Sequence, residues 1–236
     1  MNMTLIEGAG NNSFDASFLG LNNTHLLQIA GPLGGIFMKK VEPEILHLEI
    51  PANLESKKFE EALALVASYC NDVDLTDVDS LKFHANTWGL SAVKHFAETF
   101  VPMMKELTYI DMSDTLGFRP RSDLPMSLAS ILFEARFYNI IELNLNDNFL
   151  DLLGASAFKE FLEFNPSIKK LRVRGCGLGL ASVEMMQLSA GKNPKLQLTD
   201  LEFGKNDLCD EGMKLMGLYI KTQKSLENLD VSYSIK

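Results

Sequence analysis

Pairs of apolar residues spaced two positions apart recur along the chain, and a small polar residue follows each pair three positions later. Apolar residues at this spacing predict a short strand with one buried face. The third member, which we call the ladder residue, can hydrogen-bond the backbone of the turn that ends the strand. Successive triplets begin 28 to 33 residues apart, which indicates a repeat. The seven triplets are Leu48/Ile50/Asn53, Leu81/Phe83/Asn86, Ile110/Met112/Thr115, Leu143/Leu145/Asn148, Leu171/Val173/Cys176, Leu201/Phe203/Asn206 and Leu229/Val231/Ser234.

The segments between the triplets show the apolar period of helices. Residues 57–70, for example, place Phe59, Ala62, Leu63 and Val66 on one helical face. Strands and helices that alternate at this period predict an α/β leucine-rich-repeat solenoid of about seven repeats. In such a horseshoe a parallel sheet forms the concave side and helices form the outside. Comparable helices are predicted at residues 90–104, 124–137, 154–164, 181–190 and 210–221.

The repeats also predict how the chain is divided. Residues 1–43 are rich in Gly and Asn and contain no triplet, so we expect an N-terminal leader whose short strands cap the open end of the stack. Residues 44–236 form the leucine-rich-repeat domain. Because only residues 232–236 follow the last predicted strand, we expect either a shortened sequence or a C-terminal edge that a partner covers.

Composition narrows the function classes. The net charge of −9 and the pI near 5.0 argue against nucleic acid or an anionic membrane as the main partner. Three scattered cysteines and the lack of a visible secretory signal predict a reduced compartment, the cytoplasm or the nucleus. The histidines are far apart and no serine or cysteine lies in a nucleophile motif. We therefore expect no metal, no other cofactor and no catalytic residue.

Polar residues occupy the strand positions that face the predicted concave side, where such repeats bind their partners. Two interpretations stay open at this stage, a solvated sheet face and a protein-binding surface. The residues concerned are Lys82, His84, Asp111, Ser113, Asp114, Asn144, Asn146, Asp147, Arg172, Arg174, Glu202 and Lys205.

An unusual segment, residues 111–125, follows the third predicted strand in one of the two longest intervals between triplets. Extra residues in a repeat form loops at one rim, and such loops often carry binding. Arg119 and Arg121 flank a proline there and can reach a phosphate or a carboxylate. Alternatively, these arginines pair with Asp114 and Asp123 and only order the loop.

At this loop the sequence resembles the Ran GTPase-activating protein family, in residues 118–125, Phe-Arg-Pro-Arg-Ser-Asp-Leu-Pro. Further similarity lies in residues 86–89, 145–148 and 171–179, and it runs in the same order from about residue 45 to the last residue. The resemblance implies ribonuclease-inhibitor-type repeats that bind GTP-bound Ran at the rim of the crescent. It also implies that Arg119 is the family's loop arginine and that Thr87 is a rim contact.

The function implied by the resemblance is binding a Ran-like small GTPase and stimulating its GTP hydrolysis, in nucleocytoplasmic transport or signalling. The family is understood to order the GTPase's own glutamine, with an asparagine assisting, rather than to insert an arginine finger. That asparagine is replaced here by Gly175, which favours the alternative of a non-catalytic leucine-rich-repeat adaptor. The residues expected to bind the GTPase are Arg119, Arg121, Thr87, Asp114, Asn146, Asp147, Arg172 and Arg174.

Overall fold

A computed structural model describes residues 26–29, 36–41, 45–49, 75–82, 90–115, 124–136 and 138–234. The strands in these ranges are β1 Leu26–Ile29, β2 Ile36–Val41, β3 Ile45–Glu49, β4 Val78–Lys82, β5 Tyr109–Asp111, β6 Glu142–Asn144, β7 Lys170–Arg172, β8 Asp200–Glu202 and β9 Asn228–Asp230. The α-helices are α1 Leu90–Thr99, α2 Leu124–Ala135, α3 Asp151–Phe164, α4 Leu180–Lys192 and α5 Asp210–Thr222. Short 3-10 helices lie at Leu75–Asp77 and Val101–Met103.

The strands form one sheet in which the spatial order is the order along the chain. Strands β3 to β9 pair in parallel, whereas β1 and β2 pair in antiparallel fashion. Parallel neighbours need a crossover, and from β4 onward helices α1 to α5 supply it. The register aligns the first apolar residue of every triplet, Leu48, Leu81, Ile110, Leu143, Leu171, Leu201 and Leu229.

One hydrophobic core lies between the sheet and the helices. Leu143 and Leu171 are completely buried there, and burial of a leucine side chain contributes roughly 1.5–3 kcal/mol. Leu229 is 45% exposed instead, because β9 is the last strand of the sheet. Among the described residues, no helix is long and apolar enough to cross a membrane. The helix residues in the core include Phe96, Ile131, Phe158, Val183 and Met216.

At the ends of the helices, buried polar residues form a stack that links one repeat to the next. Asn165 Oδ1 accepts hydrogen bonds from the backbone N–H groups of Ser167 (3.0 Å) and Ile168 (3.2 Å). Asn193 Nδ2 donates to the carbonyl oxygens of Leu162 (2.9 Å) and Asn165 (3.1 Å) in the preceding repeat. Sequence reasoning missed this stack, although the Asn-Pro pairs at residues 165–166 and 193–194 are a visible signal.

The predicted elements agree with the structure except at their ends. Helix α3 begins at Asp151 rather than at Gly154, because the Gly154 N–H already donates to the Leu150 carbonyl oxygen (2.6 Å). The helix predicted at residues 57–70 lies outside the described residues, as do Asn53 and Asn86. Strands β1 and β2 lie in the expected leader and extend the sheet. The division at residue 43 stays a prediction.

Candidate protein-binding face

Polar side chains cover the side of the sheet that faces away from the core, which we call the open face. Side chains alternate along a strand, so the residues on either side of the first apolar residue of each triplet point to this face. The residues before this apolar residue are Ser80, Tyr109, Glu142, Lys170, Asp200 and Asn228, and those after it are Lys82, Asp111, Asn144, Arg172, Glu202 and Asp230.

Arg172 joins three neighbouring strands on the open face. Its Nε donates to Glu142 Oε1 at 2.8 Å, and its Nη1 donates to Glu202 Oε1. Lys170 Nζ lies 3.5 Å from Glu142 Oε2. Burial lowers the pKa of Arg172, but the two carboxylates outweigh this and hold the pKa above its usual value. Because these side chains are partly exposed, each pair contributes only about 0.5–1 kcal/mol, and its main effect is to fix the side chains in place.

Asn146 connects the same network to the next turn. Its Nδ2 donates to Glu202 Oε2 at 3.0 Å, two strands away from its own. Its Oδ1 accepts a hydrogen bond from the Arg174 backbone N–H at 2.8 Å. The residues Asn146 and Arg172, both predicted to bind a partner, therefore share the carboxylate of Glu202.

Arg174 crosses β8 to reach β9. Its Nη1 contacts the carboxylate of Asp230 and lies 3.3 Å from Ser232 Oγ. The crossing passes over Gly204, where a Cβ atom would lie 2.7 Å from Asp230 Oδ2 and would overlap the Arg174 guanidinium. Hydrogen bonds from Ser232, assisted by the charge of Arg174, lower the pKa of Asp230. Gly204 thus makes room for an ion pair.

The turn residues after β5 to β9, which we call the rim, adopt a left-handed backbone conformation. They are Asp114 (φ 49°), Asp147 (φ 56°), Gly175 (φ 67°), Lys205 (φ 53°) and Tyr233 (φ 55°). A left-handed residue other than glycine costs roughly 1–2 kcal/mol. Regular hydrogen bonds offset this cost, as the Asp147 N–H donates to the Arg174 carbonyl oxygen (2.7 Å) and the Lys205 N–H to that of Ser232 (2.7 Å). The rim is therefore a regular part of the stack.

The ladder residues hold the rim from the core side. Asn148 Nδ2 donates to the carbonyl oxygens of Met112 and Leu145, each at 2.8 Å. Asn148 Oδ1 accepts a hydrogen bond from the Thr115 N–H at 3.0 Å. Asn206 bonds the turn before it in the same way. The predicted hydrogen-bonding role holds for the described ladder residues, which are the buried Thr115, Asn148, Cys176, Asn206 and Ser234.

Cys176 fills the ladder position with a thiol. Its Sγ donates to the Leu145 carbonyl oxygen at 3.1 Å. Burial raises the pKa of Cys176 to about 12, so the group is a neutral thiol at physiological pH. A protonated, buried thiol is a poor nucleophile, and the role of Cys176 is structural.

The structure brings several predicted partner-binding residues together. Asn146, Arg172 and Arg174 lie in adjacent repeats of the open face, while Asp114 and Asp147 lie on the rim. Arg119, Arg121 and Thr87 lie outside the described residues, and their role in binding stays a prediction.

Asp111 differs from the expectation of a solvent-facing residue, since only 9% of it is exposed. Its carboxylate accepts hydrogen bonds from the Tyr109 hydroxyl (3.0 Å) and from the Ser113 N–H (2.9 Å) and hydroxyl (2.7 Å). Burial, followed by the charge of Asp111, raises the pKa of Tyr109. Asp111 therefore stabilises the turn that follows its own strand.

The open-face residues that sequence reasoning missed include Glu142, Lys170 and Asp230, which take part in the ion pairs of this face. Glu142 and Lys170 precede Asn144 and Arg172 by two positions, and a period of two puts them on the same face. Asp230 follows Leu229 as Arg172 follows Leu171, so the same period puts Asp230 on the open face, but its partner Arg174 lies two strands away. The period of two predicts which residues share a face of the sheet, but it does not predict which of them form an ion pair.

Comparison with known proteins gives a limited similarity. No family model matches the chain. Over 169 residues the chain is 25% identical to Ran GTPase-activating protein 2 of Caenorhabditis elegans, an alignment that covers 66% of this chain and 18% of that protein. An internalin from Listeria monocytogenes is similar at a TM-score of 0.35 and 14% identity, covering 67% of this chain and 36% of the internalin. The strand–helix alternation and the sequence similarity together support a protein of the leucine-rich-repeat type.

Proposed function

We propose that the chain is a horseshoe-shaped leucine-rich-repeat solenoid of about seven repeats that binds a Ran-like small GTPase and stimulates its GTP hydrolysis. The observation that carries the proposal is the 169-residue similarity to Ran GTPase-activating protein 2. The chain spans 18% of that relative, so activity and partner are both part of the proposal. We also propose that the protein is located in the cytoplasm and at the nuclear periphery, and that it acts in nucleocytoplasmic transport and signalling.

The ordered state of the open face supports a binding role. Arg172 is held by Glu142 and Glu202, and Arg174 is held by Asp230. Ordering a long side chain during association costs about 0.5–1.5 kcal/mol, so side chains that are already fixed favour binding. The parallel sheet that carries them is a rigid support.

In this proposal the chain acts as an activator and does not bind the nucleotide in a pocket of its own. The GTPase supplies the nucleotide site, and the chain orders the catalytic glutamine of the GTPase. Arg119, Arg121 and Thr87, which lie outside the described residues, contact the GTPase as well. Asp114 and Asp147 contact it from the rim, and Asn146, Arg172 and Arg174 contact it from the open face.

Single-turnover GTP hydrolysis by Ran, measured with and without the chain, tests the activating role. We expect the chain to accelerate hydrolysis, toward the ~10⁵-fold that arginine-finger activators reach. Binding without any acceleration would reject the activator and leave a binding protein.

A second experiment tests whether Arg119 takes part in binding the GTPase. Arg119→Ala should weaken binding to GTP-loaded Ran by about 10-fold, because a lost charge-assisted hydrogen bond is worth roughly 1.5–3 kcal/mol. Arg136→Ala is the matched control, since Arg136 stacks on Phe133 beside α2. Equal affinities of the two variants would exclude the loop from the interface.

Gly175 favours the non-catalytic adaptor as a second candidate. It offers no side chain at the rim, and the Asp147 carboxylate lies 2.7 Å from where a Cβ atom of Gly175 would be. An adaptor would capture its partner regardless of the bound nucleotide, whereas an activator selects the GTP form. Pull-downs with GTP-loaded and GDP-loaded GTPases would therefore distinguish the two candidates.

A further inference from the structure

We propose that the rim is a docking surface with separated charges, whose acidic end takes a basic group of the partner and whose basic end takes an acidic group. The acidic end comprises Asp114 and Asp147, and the basic end comprises Lys205 together with Arg174 of the adjoining open face. This inference rests on the proposed function and specifies the chemistry of the GTPase surface that meets the rim.

The acidic end consists of exposed carboxylates that no residue in the described part of the chain neutralises. Asp114 and Asp147 are both exposed, and within the described residues neither carboxylate has a cationic partner within ion-pair distance. Asp147 leans toward the next repeat, where Oδ1 lies over Gly175. The missing side chain at Gly175 thus leaves room for this carboxylate at the surface.

The basic end comes from Lys205, in the turn after β8, and from Arg174, in the turn after β7. Lys205 is exposed on the rim and has no acidic partner within the described ranges. The Arg174 guanidinium lies over Gly204, the neighbour of Lys205. Its Nη1 contacts Asp230 and Ser232, whereas no described residue bonds Nε or Nη2. These two nitrogens form one edge of the guanidinium fork, which fits a carboxylate.

The central residue Arg172 is not available in the same way, because two carboxylates neutralise it. On the rim, by contrast, Asp114, Asp147 and Lys205 have no ion-pair partner among the described residues, while Arg174 pairs with Asp230 through Nη1 alone. Neighbouring strands lie about 4.8 Å apart, so Asp114 in the turn after β5 and Lys205 in the turn after β8 are separated by roughly 14 Å. A partner that presents a lysine or arginine and a carboxylate at that separation meets complementary charges in only one orientation, which gives specificity and a faster association.

Charge reversal at each end tests the inference, with Ran bound to a non-hydrolysable GTP analogue as the probe. Asp147→Lys and Lys205→Glu should each weaken binding about 10-fold or more at about 50 mM salt, and the loss should shrink at about 300 mM salt. Glu184→Lys in α4 and Lys214→Glu in α5 are exposed on the helices and repeat the same changes of net charge. These two controls should stay within about 2-fold of the unmodified chain.

Complementary substitutions on the GTPase then separate the two ends. A lysine-to-glutamate change on Ran should restore binding to Asp147→Lys but not to Lys205→Glu, and a change from an acidic residue to lysine should do the reverse. If the unmodified chain binds Ran while both rim variants bind equally well, the inference is wrong and the proposed function stands. If the unmodified chain does not bind Ran, the proposed function and the inference both fail.

Discussion

Asn146 and Asn148 lie two residues apart in the same turn, yet their environments differ completely. Asn148 is fully buried, and its amide makes three hydrogen bonds to backbone groups. Asn146 is partly exposed and bonds the side chain of Glu202 and the backbone N–H of Arg174. The first residue belongs to the ladder and the second to the open face.

Ladder residues and open-face residues differ in what happens when one of their hydrogen bonds is lost. A buried group that loses its partner finds no water and costs about 1–3 kcal/mol, whereas a group at the open face is solvated again. The ladder therefore determines stability, and the open face can vary to suit a partner. The following substitutions test this division, from the largest expected effect to the smallest.

Asn148→Ala should lower the free energy of unfolding by about 3 kcal/mol, because it leaves the Thr115 N–H and two carbonyl oxygens without their partner. Urea denaturation measures this change. Asn146→Ala is the matched control, with an expected loss of about 1 kcal/mol or less, since water reaches that site. Equal losses for the two asparagines would contradict the distinction between ladder and open face.

Asp79 can be compared with the ladder residues, because its carboxyl group lacks hydrogen-bond partners of the kind that they have. Asp79 precedes the inward-facing Leu81 by two positions, and its Oδ1 is buried without a hydrogen-bond partner in the described part of the chain. Desolvation raises the pKa of Asp79 to about 6, although a bond to its own backbone opposes the shift. The folded state therefore favours the neutral carboxyl group.

The neutral carboxyl group of Asp79 contributes stability that is fully present below about pH 4 and is lost as the pH rises through about 6. Asp79→Asn should consequently stabilise the protein at pH 7 by about 1 kcal/mol, after a reduction for the partial exposure of the side chain. The gain should vanish near pH 4, where the aspartate is also neutral. Urea midpoints across this range test the prediction, and a gain that does not depend on pH would refute it.

Arg172→Ala probes the open face and should lower the free energy of unfolding by about 1 kcal/mol at low ionic strength, because its partners Glu142 and Glu202 are partly exposed. The loss should decrease as salt screens the remaining charges. Denaturation at two salt concentrations measures it. A loss as large as that of Asn148→Ala would mean that the open face carries stability after all.

Cys176→Ser should have the smallest effect, a loss of about 0.5–1 kcal/mol. The serine hydroxyl can donate to the Leu145 carbonyl oxygen as the thiol does, so the position keeps its partner. Cys176→Val removes the donor and is the contrasting variant, with a larger expected loss. Identical urea midpoints for Ser and Val would show that the ladder needs only volume here.

Much of the fold could be predicted because each feature is local in the sequence. Leu143 and Leu171 determine the inward face of their strands, and the helices between the triplets have their own apolar period. The left-handed conformation of Lys205 and Tyr233 was beyond prediction, since neither residue type favours it. At Lys205 a hydrogen bond to the neighbouring repeat holds that conformation, from the Lys205 N–H to the Ser232 carbonyl oxygen.

The sequence by itself determined that the chain alternates strands and helices, which side of each strand is buried and which residues fill the ladder. Only the tertiary structure decided that Arg174 reaches Asp230 across Gly204, and that Asn146 and Arg172 share Glu202. Periodicity encodes the direction of a side chain, because that depends on its own strand. The partner of a long polar side chain depends on which strands lie beside it, and that is known only once the sheet has formed.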